Sequence, residues 1–313
     1  MTIMSPEPDG ASNVVRRRSV LGSIAALSAL ACITPIVAAP KAAGAQAGGP
    51  LSKFFVDGKP ASPDTVERFA FAGYAHFTNI QVRHGRVKGI DTHLDRLRDA
   101  SEKLFGRANS DEEVRSYMRA TLRGSEPAVT LRVTACSPDG DYTTTHPKPI
   151  IVTRLGPPAP ALSNGLAMTT YEYERFLPEL KLVGDPAKTY YLRKAADEGY
   201  DDAVLVDHFG RLVCGTIWNL AFWKDDSVIW PEGDILLGTT MRMVRRQLRT
   251  LGVPQRVEPV HLIDVGRYDG AVVMNSWSPG VAIRAIGDTP ISYSPEFVDV
   301  LHRAFAREEW AMV

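Results

Sequence analysis

Gly199-Tyr200-Asp201-Asp202-Ala203-Val204-Leu205-Val206-Asp207-His208-Phe209-Gly210-Arg211-Leu212-Val213-Cys214-Gly215-Thr216-Ile217-Trp218-Asn219-Leu220-Ala221-Phe222 is the stretch from which the rest of the chain can be read. Its apolar run 203–206, closed by Asp207, reads as a buried strand. His208-Phe209-Gly210-Arg211 is a turn, and residues 212–223 and 227–230 read as further strands. Upstream lie a strand near 165–171 and a helix over 190–197. Downstream, a helix from Thr240 carries Met241, Val244, Leu248 and Leu251 on one side. A strand over 271–276 follows, and Ser294-Pro295 opens a last helix with Phe297, Leu301 and Phe305 in register.

The first half has the same texture. Residues 54–62 read as a short hairpin, and two period-2 runs around His84-Gly85 read as a second one. Leu94, Leu97, Ser101 and Leu104 mark one face of a helix ending at Gly106. Ser110 with Glu113 forms a capping box for a helix carrying Val114, Met118 and Leu122, closed by Gly124. Two strands follow, over 128–136 and 148–155. Gly156-Pro157-Pro158-Ala159-Pro160 extends neither kind of element, so residues 156–162 are the expected linker between domains over 51–155 and 163–313.

Length and charge agree with this. At 313 residues the chain exceeds one ordinary core, and 44% hydrophobic residues make it globular. Lys plus Arg equals Asp plus Glu at 36 each, which argues against a basic field for nucleic acid. Three cysteines without CxxC or Cys/His spacing suggest neither a disulfide scaffold nor structural zinc, so no metal is expected. Asp234, Glu232 and the seven histidines show no ligand arrangement either.

Residues 1–50 read as an export segment outside the fold. Arginines precede an apolar run from Val20 to Ala31 that is too short to span a membrane comfortably, and Ala43-Gly44-Ala45-Gln46-Ala47 offers cleavage sites near residue 45. Arg17-Arg18-Ser19-Val20-Leu21 resembles a twin-arginine signal, which a receptor reads as an address. The expected location is therefore periplasmic or extracellular. A basic tail or an uncleaved anchor is the alternative, with a cytoplasmic protein if the signal does not function. A lipoprotein reading through Cys32 is weaker, because Ala29 stands where a larger aliphatic residue is favoured.

Taken in order, residues 73–97, Leu180-Lys181 before a helix, the opening stretch, and Trp230 to Val244 resemble the class IV aminotransferases. These are pyridoxal 5'-phosphate enzymes of fold type IV: D-amino-acid and branched-chain aminotransferases and aminodeoxychorismate lyase. The resemblance runs from about residue 53 to about 310. It implies a mixed α/β, two-domain, D-amino-acid-aminotransferase-like fold, a pyridoxal 5'-phosphate cofactor, an amino donor with a keto-acid acceptor, and a homodimer.

The resemblance also assigns residues. Lys181 falls at the family's reactive lysine, which forms a Schiff base with the cofactor and then moves the Cα proton. Lys188 is the competing candidate. Arg96 falls at the phosphate-binding arginine, a fork suited to a dianion. Gly238-Thr239-Thr240 matches a turn whose helix N-terminus binds phosphate, with ordinary capping by Thr239 as the plain alternative. Ser276 aligns with a further phosphate contact.

Departures from the pattern are as informative. Cys214 stands where the family has the glutamate that faces the pyridine nitrogen, and a buried thiol would stay un-ionised there. Met241 replaces an arginine, and so does Gln81. Tyr171, Tyr173, Trp218 and Trp277 are candidate pocket walls, with core packing as the alternative. A Cys136–Cys214 disulfide would have to cross the two domains. The functional expectation is transamination, with a lyase of the same fold or a catalytically degenerate binding protein as alternatives.

Overall fold

Two antiparallel hairpins come first among the described residues, and turn chemistry explains both. In the computed structural model, which describes residues 54–62, 73–139, 144–160, 162 and 165–313, β1 (Phe54–Val56) turns into β2 (Lys59–Pro60) through Asp57-Gly58. Then β3 (Ala75–Arg83) turns into β4 (Arg86–Lys88) through His84-Gly85. All four turn residues have positive φ, from 46° to 75°, the twist that matches paired strands. Helix α1 (Ile90–Phe105) ends at Gly106 with φ 69°, and α2 (Asp111–Leu122) starts on the expected Ser110–Glu113 capping box. With β5 (Ala128–Cys136) and β6 (Ile150–Gly156), these strands build a sheet of order β4-β3-β5-β6-β1-β2. Ile80, Val82, Leu94, Leu97, Phe105, Met118, Leu131 and Val133 make one core between this sheet and the two helices.

The second sheet closes on itself. Its strands are β7 (Leu166–Glu172), β8 (Asp202–Val206), β9 (Leu212–Gly215), β10 (Asn219–Lys224), β11 (Ser227–Pro231), β12 (Gln255–Glu258), β13 (Gly270–Asn275), β14 (Ser278–Ile286) and β15 (Thr289–Pro290). The order β10-β13-β14-β7-β8-β9 returns to β10 through the pair Asn219↔Cys214, so these strands form a ring. Helix α3 (Ala187–Asp197) links the parallel pair β7 and β8, and α4 (Thr239–Thr250) links the parallel pair β11 and β12. Alternation does the rest: Leu220, Phe222, Ala271 and Val273 share one core. Their neighbours Ala221, Trp223, Val272 and Met274 share another with Met241, Val244, Leu248 and residues of α5 (Pro295–Arg307).

Three details differ from the sequence reading. The strand read through 212–223 breaks at residues 216–218, a turn that faces the cleft described below. The helix expected over 190–197 starts earlier, at Ala187. Sheet membership also does not follow the 156–162 break throughout, because β16 (Trp310–Met312) returns to pair with β4 at the edge of the first sheet. Cys136 and Cys214 are not disulfide-bonded to each other and lie in different sheets. The proposed export segment lies outside the described residues. Among the described residues no helix is long and apolar enough to cross a membrane.

Candidate active site

A cleft between the two sheets is lined by residues from both, among them Phe77 and Asn79 of β3, Arg96 of α1, Cys214 of β9 and Thr239 of α4. Lys181 lies in it, but not on a regular strand. Its segment runs extended beside β3, with Phe77 N–H donating to Lys181 O at 2.9 Å, Val183 N–H to Ala75 O at 2.8 Å, and a bridge His76↔Leu182. Lys181 Nζ sits 5.2 Å from the Phe77 ring centre. Burial, then the charges of Arg96, Lys188, Arg175 and Arg132, hold its pKa well below that of an ordinary lysine.

The same cleft is built for an anion. Arg96 is buried, and one of its five N–H donors bonds Leu237 O at 2.9 Å, while no carboxylate among the described residues forms an ion pair with it. Burial and the charges of Arg242 and Arg175 bring it down to about 9. Helix α4 is capped by Gly238, not by Thr239, and no side chain satisfies its first N–H groups. Asn219 holds this turn: its Oδ1 accepts from Gly238 N–H at 3.0 Å and its Nδ2 donates to Leu236 O at 2.8 Å. A Cβ on Gly238 would fall 2.1 Å from that Oδ1, so the turn needs glycine. Ser276 and Asn275 line the same cleft, and Asn275 Nδ2 is buried without a partner. Unspent guanidinium donors, an uncapped helix end and an orphaned amide together fit a phosphate.

Cys214 lines the same cleft and is buried, which pushes its thiol up to about 11. Trp218 and Trp277 form a wall, edge to face at 6.1 Å. Buried Asp202 sets that wall, accepting from Trp218 Nε1 and Thr216 Oγ1 at 2.7 Å each. Tyr171 and Tyr173 are not walls. They pack against Tyr191 of α3, at 5.0 and 5.3 Å, Tyr171 from β7 and Tyr173 from just beyond its end. Gln81 is not in the cleft either and bonds Thr130 Oγ1 at 3.0 Å. Met241 is core, and Arg242 beside it supplies charge near Arg96.

Arg175 is the side chain the sequence reading missed. It lines the cleft and donates to Asp185 Oδ2 at 3.2 Å, Pro178 O at 3.2 Å and Leu180 O at 2.8 Å, clasping the loop that carries Lys181. Its only sequence signal is being the one arginine between β7 and Lys181. Among the described residues no group of three or more His, Cys, Asp or Glu side chains could hold a metal.

The pattern of the family described as Amino-transferase class IV matches residues 75–286. No curated protein matches the chain. Among solved structures, the branched-chain aminotransferase from Thermoproteus uzoniensis with norvaline has a TM-score of 0.72 at 19% identity, covering 82% of this chain and 93% of that one. The branched-chain amino acid aminotransferase from Escherichia coli has a TM-score of 0.70 at 16% identity, covering 81% and 92%. A putative 4-amino-4-deoxychorismate lyase from Legionella pneumophila has a TM-score of 0.67 at 14% identity, covering 76% and 92%. These likenesses show a shared mixed α/β fold, that of the fold type IV enzymes. The family pattern spans about two thirds of the sequence and takes in Lys181, Arg96, Cys214 and the 238–240 turn, so the chain belongs to the class IV aminotransferases, a family of pyridoxal 5'-phosphate enzymes.

Proposed function

We propose that this protein transfers the amino group of a small amine or amino acid to a keto-acid acceptor, with Lys181 as the reactive amine. One observation carries the reading: a single cleft holds a buried, depressed lysine amine together with a buried arginine without a carboxylate and an uncapped helix. When bound, pyridoxal 5'-phosphate supplies an aldehyde and an electron-accepting ring. Arg96, the N–H groups at the start of α4, and Ser276 would hold its phosphate. Lys181, neutral at a lower pH than an exposed lysine, would be the amine that holds the aldehyde and the base that serves the substrate Cα proton. Trp218 and Trp277 exclude water from that transfer. Cys214 lines the same cleft and would be the group toward the ring nitrogen, where a neutral thiol would support ring protonation less than a carboxylate.

Borohydride reduction of the loaded protein followed by peptide mapping should place the pyridoxyl group on Lys181. A group on Lys188, or none, would overturn the assignment. Cys214 and Met241 favour a second reading, a degenerate member kept for binding, and absence of the adduct would support it. A lyase outcome shares the same site. We also read the chain as an exported homodimer. Changing Arg17 and Arg18 to lysine should leave precursor in the cytoplasm, whereas normal export would indicate the general secretory route.

A further inference from the structure

Lys188 is a second lysine in the cleft, and its helix gives it no reason to be there. It is the second residue of α3, where the unpaired N–H groups make the potential positive and disfavour a cation. Neither an acidic first turn nor a side-chain cap offsets this. The side chain is nevertheless drawn inward to 14% exposure and lines the same cleft as Lys181. Its Nζ lies 5.9 Å from the Phe77 ring centre, the same ring that Lys181 approaches to 5.2 Å.

Its protein contacts are loose. Nζ is 3.4 Å from Asp185 Oδ2 and 3.5 Å from Leu182 O. A well-made charged N–H···O bond is about 2.7–2.9 Å, and an ammonium has three donors to spend. Asp185 Oδ2 is meanwhile shared with Arg175 Nε. A largely desolvated ammonium with unspent donors is costly until an acceptor arrives. The other cations lining the cleft are engaged: Arg175 by Asp185 and two carbonyls, Arg96 at the phosphate end, and Lys181 as the reacting amine. No Asp or Glu among the described residues lines the cleft.

We infer that Lys188 anchors a carboxylate of the substrate beside Lys181, so that the cleft takes an amino acid or its keto acid in preference to the simple amine of the same skeleton. This rests on the reading of Lys181 as the reacting amine. The compact ammonium can turn its remaining donors to a carboxylate while keeping its loose ion pair with Asp185. Asp185 then serves to keep Lys188 charged and to aim it.

The test is calorimetric binding of 4-methylvalerate and of its uncharged amide, 4-methylvaleramide, to the loaded protein. The wild-type chain should prefer the acid by roughly tenfold or more, and Lys188→Met should lose roughly ten- to a hundredfold for the acid alone. Lys188→Arg, which keeps the charge, should recover most of that loss. Equal affinity for acid and amide in the wild-type chain overturns the inference without reference to any variant. So does a Lys188→Met loss of equal size for both probes. Cofactor attachment is read separately from the borohydride adduct. An adduct on Lys181 without discrimination between the probes removes the anchor alone. No adduct removes the enzyme reading, and the same probes on the unloaded chain still decide what Lys188 binds.

Discussion

Cys214 occupies a junction, paired with Leu205 on one side and with Asn219 on the other, so its side chain is fixed by three strands. Its thiol stays protonated at neutral pH because burial raises its pKa to about 11, although Arg175 and Lys181 pull the other way. An introduced Cys214→Glu carboxylate would be buried with Arg175 favouring its charge and Asp185 and Asp202 opposing it, so folding is checked before any rate is read. If the thiol faces the ring, the variant should exchange the Cα proton of a bound amino acid at least roughly tenfold faster, about 1.4 kcal/mol in barrier. Exchange is followed by loss of deuterium after cofactor content and unfolding have been shown to match wild type. A folded, loaded variant with no gain would remove Cys214 from the ring nitrogen.

Among the elements, the 236–238 turn at the head of α4 has the tightest requirement. Asn219 on β10 satisfies one carbonyl and one N–H of the turn, leaving the helix N–H groups free to face the cleft. Asn219→Ala orphans both backbone groups and should cost about 1–3 kcal/mol in stability. Gly238→Ala meets the same clamp from the other side, because its Cβ would overlap Asn219 Oδ1. Each single variant should also weaken cofactor retention. The double variant should cost less than the sum of the two, because the overlap disappears with the asparagine. Urea unfolding of all four proteins measures this, and strict additivity would show that the clamp and the glycine are independent.

The whole molecule carries a pH dependence in the packing of α1 on β3. His76 Nε2 bonds Ser101 Oγ at 2.9 Å and His93 Nδ1 bonds Thr78 Oγ1 at 2.7 Å, both rings buried. Burial first, and the charge of Arg96 second, bring each histidine from 6.5 down to about 3. Unfolding lets them take up protons near pH 6.5, so the unfolded chain binds more protons between roughly 6.5 and 3. Their contribution to stability is complete above 6.5 and is lost as pH falls. Each should cost about 2 kcal/mol between roughly pH 7 and pH 5. His93→Gln keeps a partner for Thr78 without ionising, so its unfolding free energy should fall less than that of wild type over that interval. Parallel falls would mean that His93 is already protonated in the folded protein.

Local chemistry was legible in the sequence because it depends on neighbours only. Asp57-Gly58, His84-Gly85, the Ser110–Glu113 box, Gly106 and Ser294-Pro295 each specify a turn or a cap without reference to the rest of the chain. The ordered motifs also located Lys181, Arg96, Gly238, Thr239 and Ser276, which the fold brings into one cleft, whereas Thr240 is buried and does not line it. Periodicity says which face of an element is buried, but not against what. Only tertiary structure could close the ring at Asn219↔Cys214, return β16 to the first sheet, and separate Trp218 and Trp277 at the cleft from Tyr171 and Tyr173 beside α3. The two lysines make the same point. Motif spacing selects Lys181 over Lys188, but the desolvation and the charges packed around each amine exist only once distant segments meet.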